Sequence, residues 1–286
     1  MVRSRNDNIF EWICAIFIGI IGFVCVIPII YVVSYSLTPM AEMLKNGGFV
    51  LIPKQITFSA YKHVLADPNM TSALKVNVWV TVVGTTCNLI TTMMLAYPLS
   101  RPDLPGRKFF IQMIVTCMII SAGTIPTYLM VKNTGLIDSL WALIIPSLVT
   151  VYNFIVMKAF FEGLPGDLFE SARIDGAGEF RILWQIVLPL SLPIICTIGL
   201  YYAVSHWNTY TAAIYYINTT SKMPLQVVLR RMINQATSNE VSADDVIPPE
   251  TIRMAAVVVA TAPVVIIYPF IQKYFTKGTL AGAVKG

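Results

Sequence analysis

The chain has 286 residues and a net charge of +5, with 56% hydrophobic but only 12% charged residues. A soluble globular domain carries about 25% charged residues, so this chain has too few charges to cover a water-facing surface, and its hydrophobic residues come in long blocks, the signature of a membrane protein. The basic residues are scattered, which argues against nucleic acid as a partner.

Arg3 and Arg5 precede an apolar run that is charge-free from Trp12 to Ala41. That is far longer than the core of a signal peptide, about 7–15 residues, and no small-residue cleavage site follows. The run predicts a retained first transmembrane helix over Phe10–Leu37. A spanning helix needs about 20 mostly apolar residues. Five further segments meet this: Ala73–Ser100, Phe109–Val131, Leu140–Phe160, Leu190–Ala213 and Met254–Tyr274. The expected fold class is therefore all-α, a six-span membrane protein in one domain over residues 1–286.

Tight polar turns at Arg101–Lys108 and Lys132–Asp138 separate the second, third and fourth spans. The longer connections, Thr38–Ser72 and Ile214–Arg253, mix polar residues with Pro and Gly and are expected in water with short surface helices. Arg3 and Arg5, then Arg101, Arg107 and Lys108, then Lys273, Lys277 and Lys285 fall on one side of a six-span chain. The positive-inside rule makes that side the cytoplasm, with both termini inside. Lys45, Lys54, Lys62, Lys222, Arg230 and Arg231 in the outer connections blur the signal.

Pro28, Pro98, Pro126, Pro146, Pro189, Pro193, Pro263 and Pro269 sit at or within spans. Neighbouring helices can satisfy the carbonyls they free; kinks that let helices part around a pathway are the other reading. Intramembrane charges mark ion pathways, and these spans carry essentially none. His206, beside Trp207 and Asn208, reads as a packing group rather than a proton relay. Cys14, Cys25, Cys87, Cys117 and Cys196 all lie in apolar stretches without a CxxC pair and read as small buried hydrophobes. No GxxxxGK[ST], HExxH or nucleophile elbow is present. The chain is expected to bind no metal and no nucleotide of its own, and to catalyse nothing.

The most charged stretch near the membrane is Glu162–Leu190. Asp167 and Glu170 have the spacing of a capping box, which predicts a helix over Leu168–Asp175. Gly176 stands where a left-handed C-cap is wanted. A second helix is expected from Glu179, with Phe180, Leu183, Trp184 and Val187 at helical spacing and Pro189 leading to the fifth span. Phe169, Ala172 and Ile174 form a small apolar surface among charges. Such a helix pair is either a docking element for another protein or an amphipathic connector lying on the membrane.

Glu170-Ser-Ala-Arg-Ile-Asp-Gly176 followed by Ile186-Val-Leu-Pro189 resembles the EAA motif of ATP-binding-cassette importer permeases, with Ser171 in place of the middle alanine. The tail Tyr274–Gly286, together with Trp207-Asn208 and Ile125-Pro-Thr-Tyr128, is similar to carbohydrate permeases of the maltose-importer MalG type, closest to the LplC/YtcP-like branch associated with complex oligosaccharides.

The resemblance implies a type I importer permease (MetI-like) fold with a cytoplasmic coupling helix. It implies a non-catalytic subunit of the bacterial cytoplasmic membrane. Its expected partners are a second homologous permease, two ATPase subunits that carry ATP and Mg, an extracytoplasmic solute-binding protein, membrane lipid and an oligosaccharide. Phe169, Glu170, Ser171, Ala172, Asp175, Gly176, Leu188 and Pro189 would form the ATPase-coupling element within residues 163–189. In the tail, 275–286, Lys277, Gly278, Gly282 and Lys285 would contact the ATPase dimer. Candidates for the sugar pathway are Asn77, Tyr128, Tyr152, Asn153, Trp207 and Asn208, for each of which packing or helix–helix glue is the other reading. Arg230 and Arg231 would face the binding protein; they suit an acidic sugar, although lipid headgroups or local carboxylates explain them equally well.

Overall fold

The computed structural model describes residues 5–45, 50–120, 122–238 and 248–283, and among these helices are the only regular elements. In chain order they are α1 (Arg5–Ser36), α2 (Met40–Lys45), α3 (Ser59–Ala66), α4 (Pro68–Ser100), α5 (Arg107–Ile119), α6 (Thr124–Asn133), α7 (Val151–Glu162), α8 (Gly166–Ile174), α9 (Glu179–Leu190), α10 (Leu192–Trp207), α11 (Thr211–Tyr216), α12 (Leu225–Ser238) and α13 (Pro249–Ala283). Two 3-10 turns, Leu140–Leu143 and Ile145–Ser147, precede α7.

Among the described residues three helices, Phe10–Ser36, Pro68–Ser100 and Pro249–Pro269, are long and apolar enough to cross a membrane, and up to six spans result if each bent helix pair counts as one. Three of the expected spans are therefore not straight rods. The third is split between α5 and α6. The fourth bends by 52° between its 3-10 turns and α7, and the fifth by 82° between α9 and α10. The fifth also stops at Trp207 rather than Ala213, because the Asn208 side chain donates to the Val204 carbonyl at 2.8 Å and competes with the helix ladder. Inside α9, residues Leu183–Val187 form a π turn just before Pro189. Proline cannot donate to the ladder and crowds the carbonyl four residues back, and a π turn absorbs the mismatch.

By its contacts the chain divides into two units, Met1–Met70 with Leu229–Pro263, and Thr71–Val228 with Val264–Gly286. In the first, no residue of the most apolar stretch of α1 is buried within this chain. The connection after α1 is folded rather than loose. Ser34 donates to the Leu51 carbonyl at 2.7 Å, and Ser36 pairs with the Tyr61 hydroxyl at 2.6 Å. The Glu42 carboxylate accepts the backbone N–H of Lys54 and Gln55 at 2.8 and 3.1 Å.

In the second unit, side chains of α4 and α10 satisfy the backbone at the break in the fourth span. Asn88 donates to the Ser147 carbonyl at 2.6 Å, and Thr91 to that of Leu148 at 3.1 Å. The Tyr202 hydroxyl accepts from the Thr150 N–H at 3.1 Å and pairs with Thr92 at 2.8 Å. Lipid offers no hydrogen bonds, so a bent span persists only where protein supplies them. His206 belongs to the same set: it is buried and sits 3.2 Å from the Asn88 side-chain oxygen. Its ring lies against Gly84, where an added β-carbon would fall 2.6 Å from Nε2. Its packing role follows from that contact.

The turn between the third and fourth spans is pinned to the segment after α11. Asp138, with φ of 61°, accepts the backbone N–H of Asn218 and Thr219 at 2.9 and 2.8 Å and the Thr219 hydroxyl at 2.6 Å. Lys222 adds an ion pair at 2.9 Å. These bonds hold the Asp138 carboxyl well below the usual carboxylate range, the Thr219 side chain contributing most.

Candidate functional site: the loop between the fourth and fifth spans

Helix α8 starts at Gly166 after Pro165, two residues earlier than the capping box predicts, and no side chain caps it. Asp167 lies in the first turn, where a carboxylate still favours the positive end of the helix dipole, and its carbonyl accepts from the Ser171 hydroxyl at 2.8 Å. Pro165, with its fixed φ, sets the entry in place of an Asp cap. The C-terminus is as expected. Gly176 has φ of +75°, its N–H bonds the Arg173 carbonyl at 3.0 Å, and the Ala177 N–H bonds that of Ala172 at 2.9 Å. This is a Schellman closure, which needs a left-handed residue after the helix. Nothing lies within 4 Å of where a β-carbon would stand, so glycine is required by backbone conformation and not by space.

The helix turns its apolar side inward. Phe169 is 5% exposed and Ala172 7%, both inside a cluster with Tyr97 and Leu99 of α4, Phe154 and Phe161 of α7, Ile182 and Val187 of α9, and Tyr202 of α10. The expected apolar docking surface is therefore corrected. Phe169 and Ala172 fasten α8 to its own chain, and what faces outward is Glu170, Ser171, Ile174 at 85% exposure, and Asp175. Leu188 is half-buried and Pro189 exposed on α9.

A charged cluster that the sequence reading missed joins the loop to the end of α4. The Arg101 guanidinium lies over the Phe169 ring, 3.8 Å from its centre, and 5.9 Å from that of Tyr97. The Tyr97 hydroxyl donates to Glu179 at 2.5 Å, and Arg173 pairs with the other oxygen of that carboxylate at 2.8 Å. The Glu179 carboxyl is held below its ordinary range, first by the Tyr97 hydrogen bond. A cavity of about 450 Å³ opens beside these residues. Arg107 bonds the Leu99 carbonyl at 2.9 Å and pairs with Glu162, which also holds Lys158 at 2.7 Å. The only sequence signal was the i, i+4 spacing of Tyr97 and Arg101 and the six-residue separation of Arg173 and Glu179 across the glycine turn.

Of the candidate pathway residues, Asn77 and Trp207 are brought together. Asn77 is fully buried and donates to the Trp207 carbonyl at 3.3 Å, with Asn208 next in the chain. Tyr128 stacks on Tyr216, ring centres 6.3 Å apart. Tyr152 is exposed and tilted against Tyr201, whereas its neighbour Asn153 is buried. Arg230 and Arg231 are exposed on α12. In the tail, Lys277, Gly278 and Gly282 lie on the backbone of α13, and Lys285 is outside the described residues.

Among the described residues no group of three or more His, Cys, Asp or Glu side chains could hold a metal ion.

The whole chain has relatives. It is 42% identical over 286 residues to the polygalacturonan/rhamnogalacturonan transport system permease protein YtcP of Bacillus subtilis (strain 168), covering 98% of this chain and all of that protein. It is 40% identical to protein LplC of the same organism, covering all of this chain and 98% of LplC. Its structure is similar to a chain in the crystal structure of a bacterial ABC transporter involved in the import of the acidic polysaccharide alginate, with a TM-score of 0.87, 34% identity, and coverage of 96% of this chain and 99% of that one. The model of the binding-protein-dependent transport system inner membrane components matches residues 2–280. The chain belongs to that family, whose members are transport permease subunits of the membrane and not catalysts.

Proposed function

We propose that this protein is one of two permease subunits of an ATP-driven importer of oligosaccharides, fragments of complex or acidic polysaccharides in particular. The observation that carries the reading is the full-length similarity to a polygalacturonan/rhamnogalacturonan permease and to a subunit of an alginate importer, both of which handle uronate-rich polymers. In this reading a second, homologous permease completes the pathway. Two ATPase subunits bind ATP and Mg, and the chain itself carries no cofactor. An extracytoplasmic binding protein delivers the sugar. Both termini and α8 lie in the cytoplasm. The outward side of α8, with Glu170, Ser171, Ile174 and Asp175, docks an ATPase subunit, while Phe169, Ala172 and the Gly176 turn hold that side at a fixed angle. ATP binding draws the two loops together and switches the spans from inward- to outward-facing.

Importers of other solutes share this kind of loop, so the substrate is the part to test. The full complex is reconstituted in lipid vesicles with its binding protein outside and ATP inside. ATP-dependent uptake of oligogalacturonide or oligomannuronate is expected, with neutral oligosaccharides taken up less well. Uptake of an amino acid or metal chelate in preference would overturn the sugar reading. Uptake without any ATPase subunit would overturn the ABC reading itself.

A further inference from the structure

Covalently, α8 is tied only to the fourth span, through Gly163–Pro165, and to the fifth, through the Gly176 turn and α9. The end of the second span touches it without any such link. We propose that Tyr97, Arg101 and Glu179 form a latch that hands the movement of the loop to the second span, with Glu179 and Tyr97 as positioning residues for coupling. The inference rests on the reading of α8 as the ATPase-docking helix.

Three observations converge. Both helices of the pair are gripped from the end of α4: Phe169 on α8 lies under the guanidinium of Arg101, the residue after α4, and Glu179 at the start of α9 receives the Tyr97 hydroxyl. Arg173 holds the far oxygen of the same carboxylate, so Glu179 also locks the angle between α8 and α9. The cavity of about 450 Å³ lies on this side, lined by Tyr97, Arg101, Arg173 and Glu179 among others. Close packing transmits displacement because it cannot be compressed. Where a cavity replaces packing, directional polar contacts must do so. Arg101 reaches the loop by its face-on contact with the Phe169 ring, and its Nε is buried and has no hydrogen-bond partner.

The experiment uses the complete transporter in vesicles and measures solute imported per ATP hydrolysed, along with basal ATP hydrolysis. Tyr97→Phe removes one hydroxyl and keeps the ring, and Glu179→Gln keeps the shape of the side chain. Both variants are expected to assemble with the ATPase and keep basal hydrolysis, while solute per ATP falls about fivefold or more. The double variant should be no worse than either single one, because both break the same link. An unchanged ratio in both single variants overturns the latch. Loss of ATPase co-purification in both would overturn it too, since it would show the residues serve folding or docking. Glu170→Ala, on the outward side, separates the two ideas: if it abolishes stimulated hydrolysis while the latch variants keep their ratio, docking stands and the latch falls. If Glu170→Ala and Ile174→Asp both leave stimulated hydrolysis intact, the docking reading falls instead.

Discussion

Replacing Gly176 by alanine is a sharp test of why the loop has its shape. At φ of +75° the residue is left-handed. No atom lies within 4 Å of an added β-carbon, so the substitution introduces no clash with a neighbour. What remains is the intrinsic cost of a left-handed L-residue, about 1–2 kcal/mol. That corresponds to about a 5- to 30-fold shift in a local equilibrium. The reporters are the amides of Gly176 and Ala177, bonded to the Arg173 and Ala172 carbonyls at 3.0 and 2.9 Å. Hydrogen exchange at Ala177 should speed up by that factor in Gly176→Ala, with the amides of α7 unchanged. Asparagine visits the left-handed region more readily, so Gly176→Asn should exchange at an intermediate rate. Equal exchange in wild type and Gly176→Ala, or faster exchange in the Asn variant than in the Ala variant, would refute the backbone explanation.

Gly84→Ala would push a carbon to 2.6 Å from His206 Nε2 in a buried site, an overpacking cost of about 1–3 kcal/mol. Thermal unfolding of the purified complex should show the loss, and His206→Ala in the same chain should recover part of it; strictly additive effects would contradict the contact. Asn88→Leu strips the Ser147 carbonyl of its donor and should cost about 1–3 kcal/mol by the same assay, whereas a stability equal to wild type would mean the bend is held otherwise. For Asp138 the folded carboxyl titrates below its unfolded value, so its contribution is present above about pH 4 and lost only as pH falls further. Protection of the Asn218 and Thr219 amides should therefore persist at about pH 5 and be lost at neutral pH in Asp138→Asn; loss in the wild type between about pH 7 and pH 5 would reverse the sign.

The fold class was legible because spans announce themselves by length and apolarity. The bends were not. A count of about 20 mostly apolar residues runs through Pro146 or Ser191 without registering that the backbone turns there. The partners that make a turn affordable in lipid, Asn88, Thr91 and Tyr202, lie about 50 or more residues away in sequence. In the loop, Gly176 was readable because only one residue type takes its conformation cheaply. The start of α8 was misread because Asp167 and Glu170 fit a capping box that Pro165 makes unnecessary. The direction of Phe169 was also missed. Helical spacing puts it on one face with Ala172, but only the packing of α4 and α7 decides whether that face looks into the protein or out to a partner. Tyr97 and Arg101 read as the ordinary polar end of a span until Glu179, 82 positions on, is seen beneath the hydroxyl.

The central claim is that the outward side of α8 receives the ATPase. Stimulation of ATP hydrolysis by the loaded binding protein in the reconstituted complex measures it most directly, with Glu170→Ala and Ile174→Asp compared against Phe110→Leu, a substitution at an exposed residue of α5. The account predicts that both α8 variants insert and pair with the second permease but lose most of the stimulated hydrolysis, while Phe110→Leu retains it. Full stimulation in both α8 variants would contradict the account.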